Sequence, residues 1–130
     1  MIFVERFREI IEATGWRDLR TPFRAIEAWK QFVDDCVDGY SYGMADYCND
    51  LSIRGLLQTI IDDSVIRSTP QCEWYEGEVR KVDDVFRSLI DSGVEVRSHG
   101  EWWERKIPAF GSREMKLEAE EMYGVVIEEI

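Results

Sequence analysis

Residues 39–63 read GYSYGMADYCNDLSIRGLLQTIIDD, an aromatic loop that leads into an apolar helix. Four Leu and Ile residues between positions 56 and 61 recur at i, i+1, i+4 and i+5, so they share one face of that helix. Polar side chains at positions 49–52 offer oxygens that can cap its start, which predicts a helix over about residues 51–66. We expect this helix and the aromatic loop beside it to form the centre of the fold.

Periodic apolar residues on both sides of this stretch predict further helices. Thr21 suits an N-cap and Pro22 suits the first helical turn, while a glycine follows each apolar stripe, where it can end a helix. The predicted helices run over residues 2–14, from Pro22 to Gly39, and from a start between residues 72 and 78 to Gly93.

The last third of the chain is less regular. Residues 94–97 and 103–107 alternate apolar and charged side chains, which suits two short strands, and Pro108 limits the second to a sheet edge. After a Ser112 N-cap signal, a helical stripe of apolar residues continues to the C-terminus. Gly124 and the β-branched residues after it would also suit a terminal strand, but we favour the helix.

Length and composition predict one globular domain over residues 1–130. A chain of 130 residues with 45% hydrophobic residues can bury a core, and only three prolines argue against a disordered chain. The predicted fold is mainly α, a compact bundle of four to five helices. The alternative is an α+β fold in which the C-terminal third contributes a short sheet.

The charge balance is the strongest global signal. The chain carries 16 Lys and Arg against 27 Asp and Glu, a formal net charge of -11, which argues against binding nucleic acid or an anionic membrane. Residues 31–65 hold one cation, Arg54, and seven acids. Such a surface either keeps a protein soluble or steers it toward a basic partner.

Cysteine usage and the N-terminus predict a cytoplasmic protein. The three cysteines are an odd number without Cys-x-x-Cys spacing, so we expect reduced thiols. The N-terminus meets charge at Glu5 and has no apolar core of signal-peptide length. No run approaches the roughly 20 apolar residues of a membrane span, so no membrane association is expected.

The sequence offers few groups for catalysis. His99 is the only histidine, and we expect it in a solvated turn. Phosphate-binding, dinucleotide-binding and hydrolase motifs are absent. Asp46 and Asp50 are four residues apart beside Tyr42 and Tyr47, a spacing that can place both on one face, but the stretch lacks the alternating oxygens and the glycine of a calcium loop. We therefore predict a protein that is not an enzyme and has neither cofactor nor metal.

Aromatic and acidic residues around the central helix are the candidates for binding a partner. Rigid rings beside carboxylates suit a surface rich in Arg and Lys, although the tyrosines could instead pack over the helix ends. Of the adjacent tryptophans, we expect Trp103 to be buried and Trp102 to be exposed. The predicted partner-binding residues are Tyr40, Tyr42, Asp46, Tyr47, Asp50, Asp62, Asp63 and Trp102.

Three stretches resemble a known functional class. They are a helix with Trp29 and Phe32-Val33 before a Gly-Tyr loop, the run YCNDLSIR at 47–54, and the run WWERKIP at 102–108. Together they resemble the small acidic immunity proteins encoded beside bacterial polymorphic toxins, including those of contact-dependent growth inhibition systems. The resemblance implies a stoichiometric inhibitor that binds a cognate toxin, often a basic nuclease, and occludes its active site with acidic and aromatic residues.

Two other functions fit the same sequence. One is an inhibitor of phage or plasmid origin that mimics nucleic-acid charge, which needs carboxylates in rows spaced like phosphates. The other is a regulatory or adaptor module whose apolar groove holds a peptide helix. The resemblance and the charge balance together favour the immunity role, with a basic protein toxin as partner and no direct contact with nucleic acid.

Overall fold

The computed structural model describes residues 2–16 and 18–130, and in this part of the chain the fold is mainly α, as predicted. The helices are α1 (Ile2–Thr14), α2 (Pro22–Asp38), α3 (Met44–Asp62), α4 (Ser64–Arg67), α5 (Gln71–Asp91), α6 (Trp102–Arg105) and α7 (Arg113–Tyr123). The strands are β1 (Val94–Glu95), β2 (Lys106–Ile107), β3 (Phe110–Gly111) and β4 (Glu128–Glu129). Five of these helices have 11 to 21 residues, and α4 and α6 are single turns.

The boundaries of α2 are confirmed. The Thr21 side chain accepts a hydrogen bond from the Arg24 backbone N–H at 3.2 Å, and Pro22 occupies the first turn. Gly39 ends the helix with φ +100° and donates its N–H to the Cys36 carbonyl at 3.1 Å. A side chain with a Cβ rarely adopts such a φ, so the sequence marks this end correctly.

The central helix differs from its predicted span at both ends. It begins at Met44, because the Met44 N–H donates at 2.8 Å to a carboxylate oxygen of Glu118 on α7. Because Glu118 is 74 residues further along the chain, the residues next to Met44 do not reveal this helix start in the sequence. At the other end Asp63 is extended and starts the separate turn α4, so the predicted continuous helix to residue 66 is wrong.

The favoured helix to the C-terminus is also wrong in its last part. Ser112 caps α7 as predicted, accepting the Met115 N–H at 3.1 Å, but Gly124 adopts φ +67° and ends the helix. The β-branched residues that follow suit extended chain, and β4 pairs in parallel with β3. Ile127 is buried there, which ties the C-terminal segment to the core.

The predicted strands are confirmed only in part. β1 pairs antiparallel with β2, with Val94 opposite Ile107. Trp103 lies instead in the turn α6, so the second strand is shorter than its alternating pattern indicates. The two strand pairs are minor additions to a helical fold.

Trp29 stands at the centre of the core, where α2 packs against both α3 and α5. Its ring meets Phe86 edge-on at 5.2 Å and stacks with Phe32 at 5.9 Å between ring centroids. Helix α1 packs on α4, and α7 packs on α3. Buried side chains from α1 to the C-terminal segment join one hydrophobic cluster.

A buried ion pair crosses this core between α3 and α5. Arg54 donates from Nε and Nη2 to the two oxygens of Asp83, at 2.8 and 2.9 Å, and Trp29 Nε1 donates to the same carboxylate at 3.0 Å. The guanidinium lies 4.5 Å from the centroid of the Trp103 ring. One charged pair therefore joins α2, α3, α5 and α6.

Candidate functional site

The aromatic loop contributes one exposed ring and two buried ones. Tyr40 and Tyr47 are each 1% exposed and pack against Phe32, with centroids 5.7 and 5.3 Å away. The prediction that these two rings contact a partner is therefore wrong, because they fill the core where α2 meets α3. Tyr42 is 59% exposed and lies edge-on to Tyr40. It is the tyrosine of this set that can meet another protein.

Two of the predicted carboxylates lie beside this loop. Tyr40 donates its hydroxyl hydrogen to Asp50 Oδ2 at 2.6 Å. Burial raises the pKa of Tyr40 most, and the hydrogen bond to Asp50 and the negative charges of Asp50 and Asp46 raise it further. Both carboxylates are on exposed residues of the first two turns of α3. The structure thus brings Tyr42, Asp46 and Asp50 together.

The loop is held in place by the start of α7. The Ser112 N–H donates to the Tyr40 carbonyl at 2.9 Å, and the Ser112 hydroxyl donates to the Tyr42 carbonyl at 3.1 Å. The bond from Met44 to Glu118 closes the same contact. Residues 40–44 are therefore positioned by a segment about 70 residues further along the chain.

A groove of about 400 Å³ between α2 and α3 adds further carboxylates to this surface. We call it the acidic groove. Its apolar residues include Phe32 and Ile53, and among the described residues that line it there is no Lys or Arg. Burial raises the pKa of the Cys36 thiol, and the negative charges of Asp35 and Asp50 raise it further. Both carboxylates therefore lie close enough to the Cys36 thiol to disfavour its ionisation. The lining residues are Trp16, Asp18, Leu19, Ala28, Gln31, Phe32, Asp35, Asn49, Asp50 and Ile53.

Sequence reasoning missed part of this groove. The acidic pair at residues 34 and 35 is visible in the sequence, but nothing local shows that α2 turns Asp35 toward α3. Asp18 and Trp16 belong to the connection before α2, which has no periodic pattern. Only the packing of α2 on α3 brings these side chains to Asp50.

The acids at the far end of α3 do not belong to this cluster. Asp50 and Asp62 are twelve residues apart on one helix, which separates them by about 18 Å. Asp62 is exposed and accepts a hydrogen bond from Gln58 at 2.9 Å. The predicted acids therefore form two separate groups along α3.

Asp63 serves the fold, and its contact with a partner stays a prediction. Its carboxylate accepts from Arg6 Nε at 3.0 Å and Arg6 Nη2 at 2.7 Å. It also accepts the backbone N–H groups of Val65 and Ile66, each at 3.1 Å, and so caps α4. The hydrogen bond from Arg6 is the largest of the effects that lower the pKa of Asp63 to about 2.

The low pKa of Asp63 predicts a specific loss of stability in acid. Because the folded pKa of about 2 lies below the usual value of about 3.9, the contribution is present above pH 4 and is lost as the pH falls toward 2. Urea unfolding of the wild type and Asp63→Asn should show a stability difference at pH 6 that shrinks by pH 2.5. Asn still caps α4 in this comparison, so an equal difference at both pH values would contradict the prediction.

Trp102 is covered by the protein's own cations. Its ring is half-buried, and the Arg87 guanidinium lies 3.9 Å from its centroid. Trp103 is 4% exposed, as predicted, and meets Trp102 edge-on at 5.6 Å. The prediction that Trp102 is exposed is wrong, because Arg87 and Phe86 pack against it.

Groups that could support catalysis or metal binding are not gathered in one place. Among the described residues, no three His, Cys, Asp or Glu side chains stand where they could share a metal ion. His99 is exposed between β1 and α6, while Cys36 and Cys72 are buried and Cys48 is exposed. The acidic groove differs from such a site in that it gathers carboxylates and apolar side chains along one cleft.

Comparison of the chain with protein-family models, curated proteins and solved structures finds no match. In residues 2–16 and 18–130, none of the helices combines the length and hydropathy needed to cross a membrane.

Proposed function

We propose that this protein is an immunity-type inhibitor that binds a basic cognate toxin and neutralises it in the cytoplasm. The observation that supports the proposal is the acidic groove, where Asp18, Asp35 and Asp50 stand over an apolar floor and no cation is present among the described lining residues. A partner's Arg or Lys fits such a groove, since its aliphatic stem packs on the floor and its charged end meets the carboxylates.

Binding proceeds in two steps in this proposal. The acidic surface first accelerates encounter with a basic protein, an effect worth about 10 to 1,000-fold in association rate at low salt. Tyr42 and the floor of the acidic groove then bury apolar area against the partner. Tyr42 suits this second step because it is exposed and packs on the buried Tyr40, which leaves it little freedom to lose.

Co-expression tests the proposal. The product of the neighbouring upstream gene is produced in bacteria with and without this protein, and growth and co-purification are scored. We expect the neighbour to inhibit growth alone, and the pair to restore growth and to purify as a one-to-one complex. A harmless neighbour that forms no complex with this chain would overturn the proposal.

Removing three carboxylate charges, two in the acidic groove and one beside it on α3, should slow association with the basic partner. In the variant Asp35→Asn, Asp46→Asn, Asp50→Asn, the amide at position 50 can still accept the Tyr40 hydroxyl, so the loop is expected to stay in place. The association rate at 50 mM salt is expected to fall by about tenfold, and its decrease between 50 and 300 mM salt to flatten. Stopped-flow mixing with the purified partner measures both quantities.

The matched control removes three exposed acids that do not line the groove, in the variant Glu73→Gln, Asp91→Asn, Glu95→Gln. Both variants lose the same net charge, so a general charge effect would slow them equally. Equal rates for the two variants would contradict a local acidic site, and circular dichroism confirms that each is folded.

A further inference from the structure

The helices α2 and α5 together present an outer face with exposed apolar side chains. They run side by side in the same direction, because the Tyr75 hydroxyl donates to the Pro22 carbonyl at 2.9 Å near both helix starts. Further along the same two helices, the rings of Phe32 and Phe86 lie 5.8 Å apart between centroids. We call the exposed surface of this pair the α2–α5 face. Its exposed large apolar residues are Phe23, Val37, Trp74 and Val85.

Helical spacing places these four residues on one side of the helix pair. Phe23 and Val37 are 14 residues apart and Trp74 and Val85 are 11 apart, close to four and three whole turns of about 3.6 residues. Val37 and Val85 line a common groove between the helices, which joins the two rows into one surface. The four side chains are 47% to 62% exposed, so the described part of the chain leaves this surface largely uncovered.

A ring and a groove lie at opposite ends of the α2–α5 face. Trp74 is 56% exposed and stands in the first turn of α5. The groove, with a volume of about 600 Å³, lies near the other end of that helix. Trp74 and Leu89 are separated by about 22 Å along the helix, so the ring cannot enter the groove of its own chain. The groove is lined by Val37, Asp84, Val85, Ser88, Leu89 and Ser92.

The middle of the face is electrically neutral, unlike the chain as a whole. Lys30 pairs with Asp34 on α2 at 3.8 Å, and Lys81 pairs with Glu78 on α5 at 2.9 Å. With a net charge of -11, two copies of this chain repel each other over most of their surfaces. The neutral middle of the α2–α5 face lets two copies meet there without that repulsion, while a strongly basic partner gains little attraction from it.

We propose that the α2–α5 face pairs with the same face of a second copy of this chain, with the helices of the two copies antiparallel. A two-fold axis perpendicular to the helices exchanges the two ends of the face, so each Trp74 ring enters the groove of the other copy. The ring then packs on Val85 and Leu89. Asp84 and Ser88, which also line the groove, offer acceptors for its indole N–H.

The occupant is a second copy because one chain carries both halves of this contact. Any other partner would have to supply a ring for the groove and a groove for the ring, about 22 Å apart and in the same arrangement. Symmetry provides both without a further match, and it makes the contact twice.

The size of the face indicates a weak dimer. Two helices 8–10 Å apart and about 22 Å of their length give a contact of roughly 400–500 Å² per copy. Stable complexes bury about 800 Å² on each partner. We therefore expect a dissociation constant of roughly 10–100 µM, which requires a measurement at high protein concentration.

The dimer leaves the acidic groove open. Asp35 lines the acidic groove, and Val37, two residues later on α2, points about 160° away from it. The groove that receives Trp74 and the acidic groove share no lining residue. A dimer therefore presents two accessible acidic grooves, and its formation does not depend on the proposed inhibitor function.

Sedimentation velocity of the purified protein tests this inference. Over about 5 to 500 µM protein, the apparent mass should rise from 15.3 kDa toward twice that value. In Trp74→Ala we expect the dimer to be weakened by about 100-fold or more, because an aromatic anchor is lost at two places in each dimer. The matched control is Tyr42→Ala, which removes an exposed ring outside the α2–α5 face and is expected to leave the dimer unchanged.

A mixing experiment tests the exchange of rings and grooves directly. Val85→Glu places a charge in the groove but keeps Trp74, whereas Trp74→Ala keeps the groove intact. Each variant alone is expected to be monomeric. In the mixture one complete contact of ring and groove can form, so a heterodimer weaker than the wild-type dimer should appear. Fluorescence-detected sedimentation with one variant labelled at the exposed Cys48 measures it, and circular dichroism confirms that both are folded.

Three results would overturn the proposal. The first is a wild type that stays monomeric up to about 500 µM, well above the expected dissociation constant. The second is a dimer that Tyr42→Ala weakens and Trp74→Ala does not, which would place the contact on another surface. The third is a mixture of the two variants that forms no heterodimer. These measurements use the isolated protein, so they are independent of whether the upstream neighbour is a toxin.

Discussion

Asp83→Ala is expected to lower the free energy of unfolding by about 3–5 kcal/mol. Asp83 accepts both hydrogen bonds of the Arg54 fork and the Trp29 indole N–H, and Arg54 is only 4% exposed. Without the carboxylate, a guanidinium charge remains buried with no counter-charge at its side. Domains of this kind have total stabilities of about 5–15 kcal/mol, so this single change removes a large share. Urea unfolding at pH 7 measures the loss.

The control for this prediction replaces both partners. In the double variant Arg54→Met, Asp83→Leu no charge is left in the core, so we expect it to recover at least half of the stability that Asp83→Ala loses. The Trp29 indole N–H stays unpaired in both variants, which keeps the comparison focused on the charge. A double variant as unstable as Asp83→Ala would show that the cost comes from packing and not from the unpaired arginine.

Gly93→Ala is expected to cost about 3 kcal/mol. A Cβ at this position would lie 1.9 Å from the Ile107 carbonyl oxygen, a backbone atom of the paired strand β2 that cannot move without displacing the strand. The pairing of Val94 with Ile107 has to open to admit the methyl group. Thermal unfolding should show a decrease of about 10 °C or more in melting temperature.

Gly77→Ala is the matched control for this change. Gly77 lies inside α5, and a Cβ there meets no atom within 4 Å. The same substitution is therefore expected to stabilise the protein by about 0.5–1 kcal/mol, because alanine favours the helix. A melting temperature for Gly93→Ala at or above that of the wild type would contradict the clash at β2.

Features of the fold that depend on neighbouring residues were predictable from the sequence. The start of α2 follows from Thr21 and Pro22, and its end follows from Gly39, because each acts on the backbone beside it. The mainly α class follows from the spacing of apolar residues, which reports the helix period directly. The residue after α1, Gly15, ends that helix with φ +81°.

Features that depend on distant contacts were not predictable. The start of α3 requires Glu118, and the burial of Tyr40 and Tyr47 requires α2 to pack across the loop. The C-terminal helix was overestimated because Val126 and Ile127 continue the apolar stripe beyond the left-handed Gly124. The spacing of apolar residues does not show that the backbone changes direction at a single residue such as Gly124.

The candidate site was predictable only in outline. Tyr42, Asp46 and Asp50 were singled out from composition, and the structure places them together, while Asp63 and Trp102 turned out to have partners within the protein. Arg54 offered an unused signal, since it is the one cation between residues 31 and 65 and lies within a strongly apolar helix. A charge in that position needs a buried counter-charge, which Asp83 provides.

The bonds from Ser112 and Glu118 to the aromatic loop also determine when the acidic surface is completed during synthesis. Residues 40–44 are made first, and their partners follow 70 to 74 residues later. At about 5–20 residues per second, the ribosome needs roughly 4–15 s to add them. During that interval the start of α3 has no cap and the loop has no anchor. A chain still attached to the ribosome therefore carries the acids of the binding surface before it carries their final arrangement.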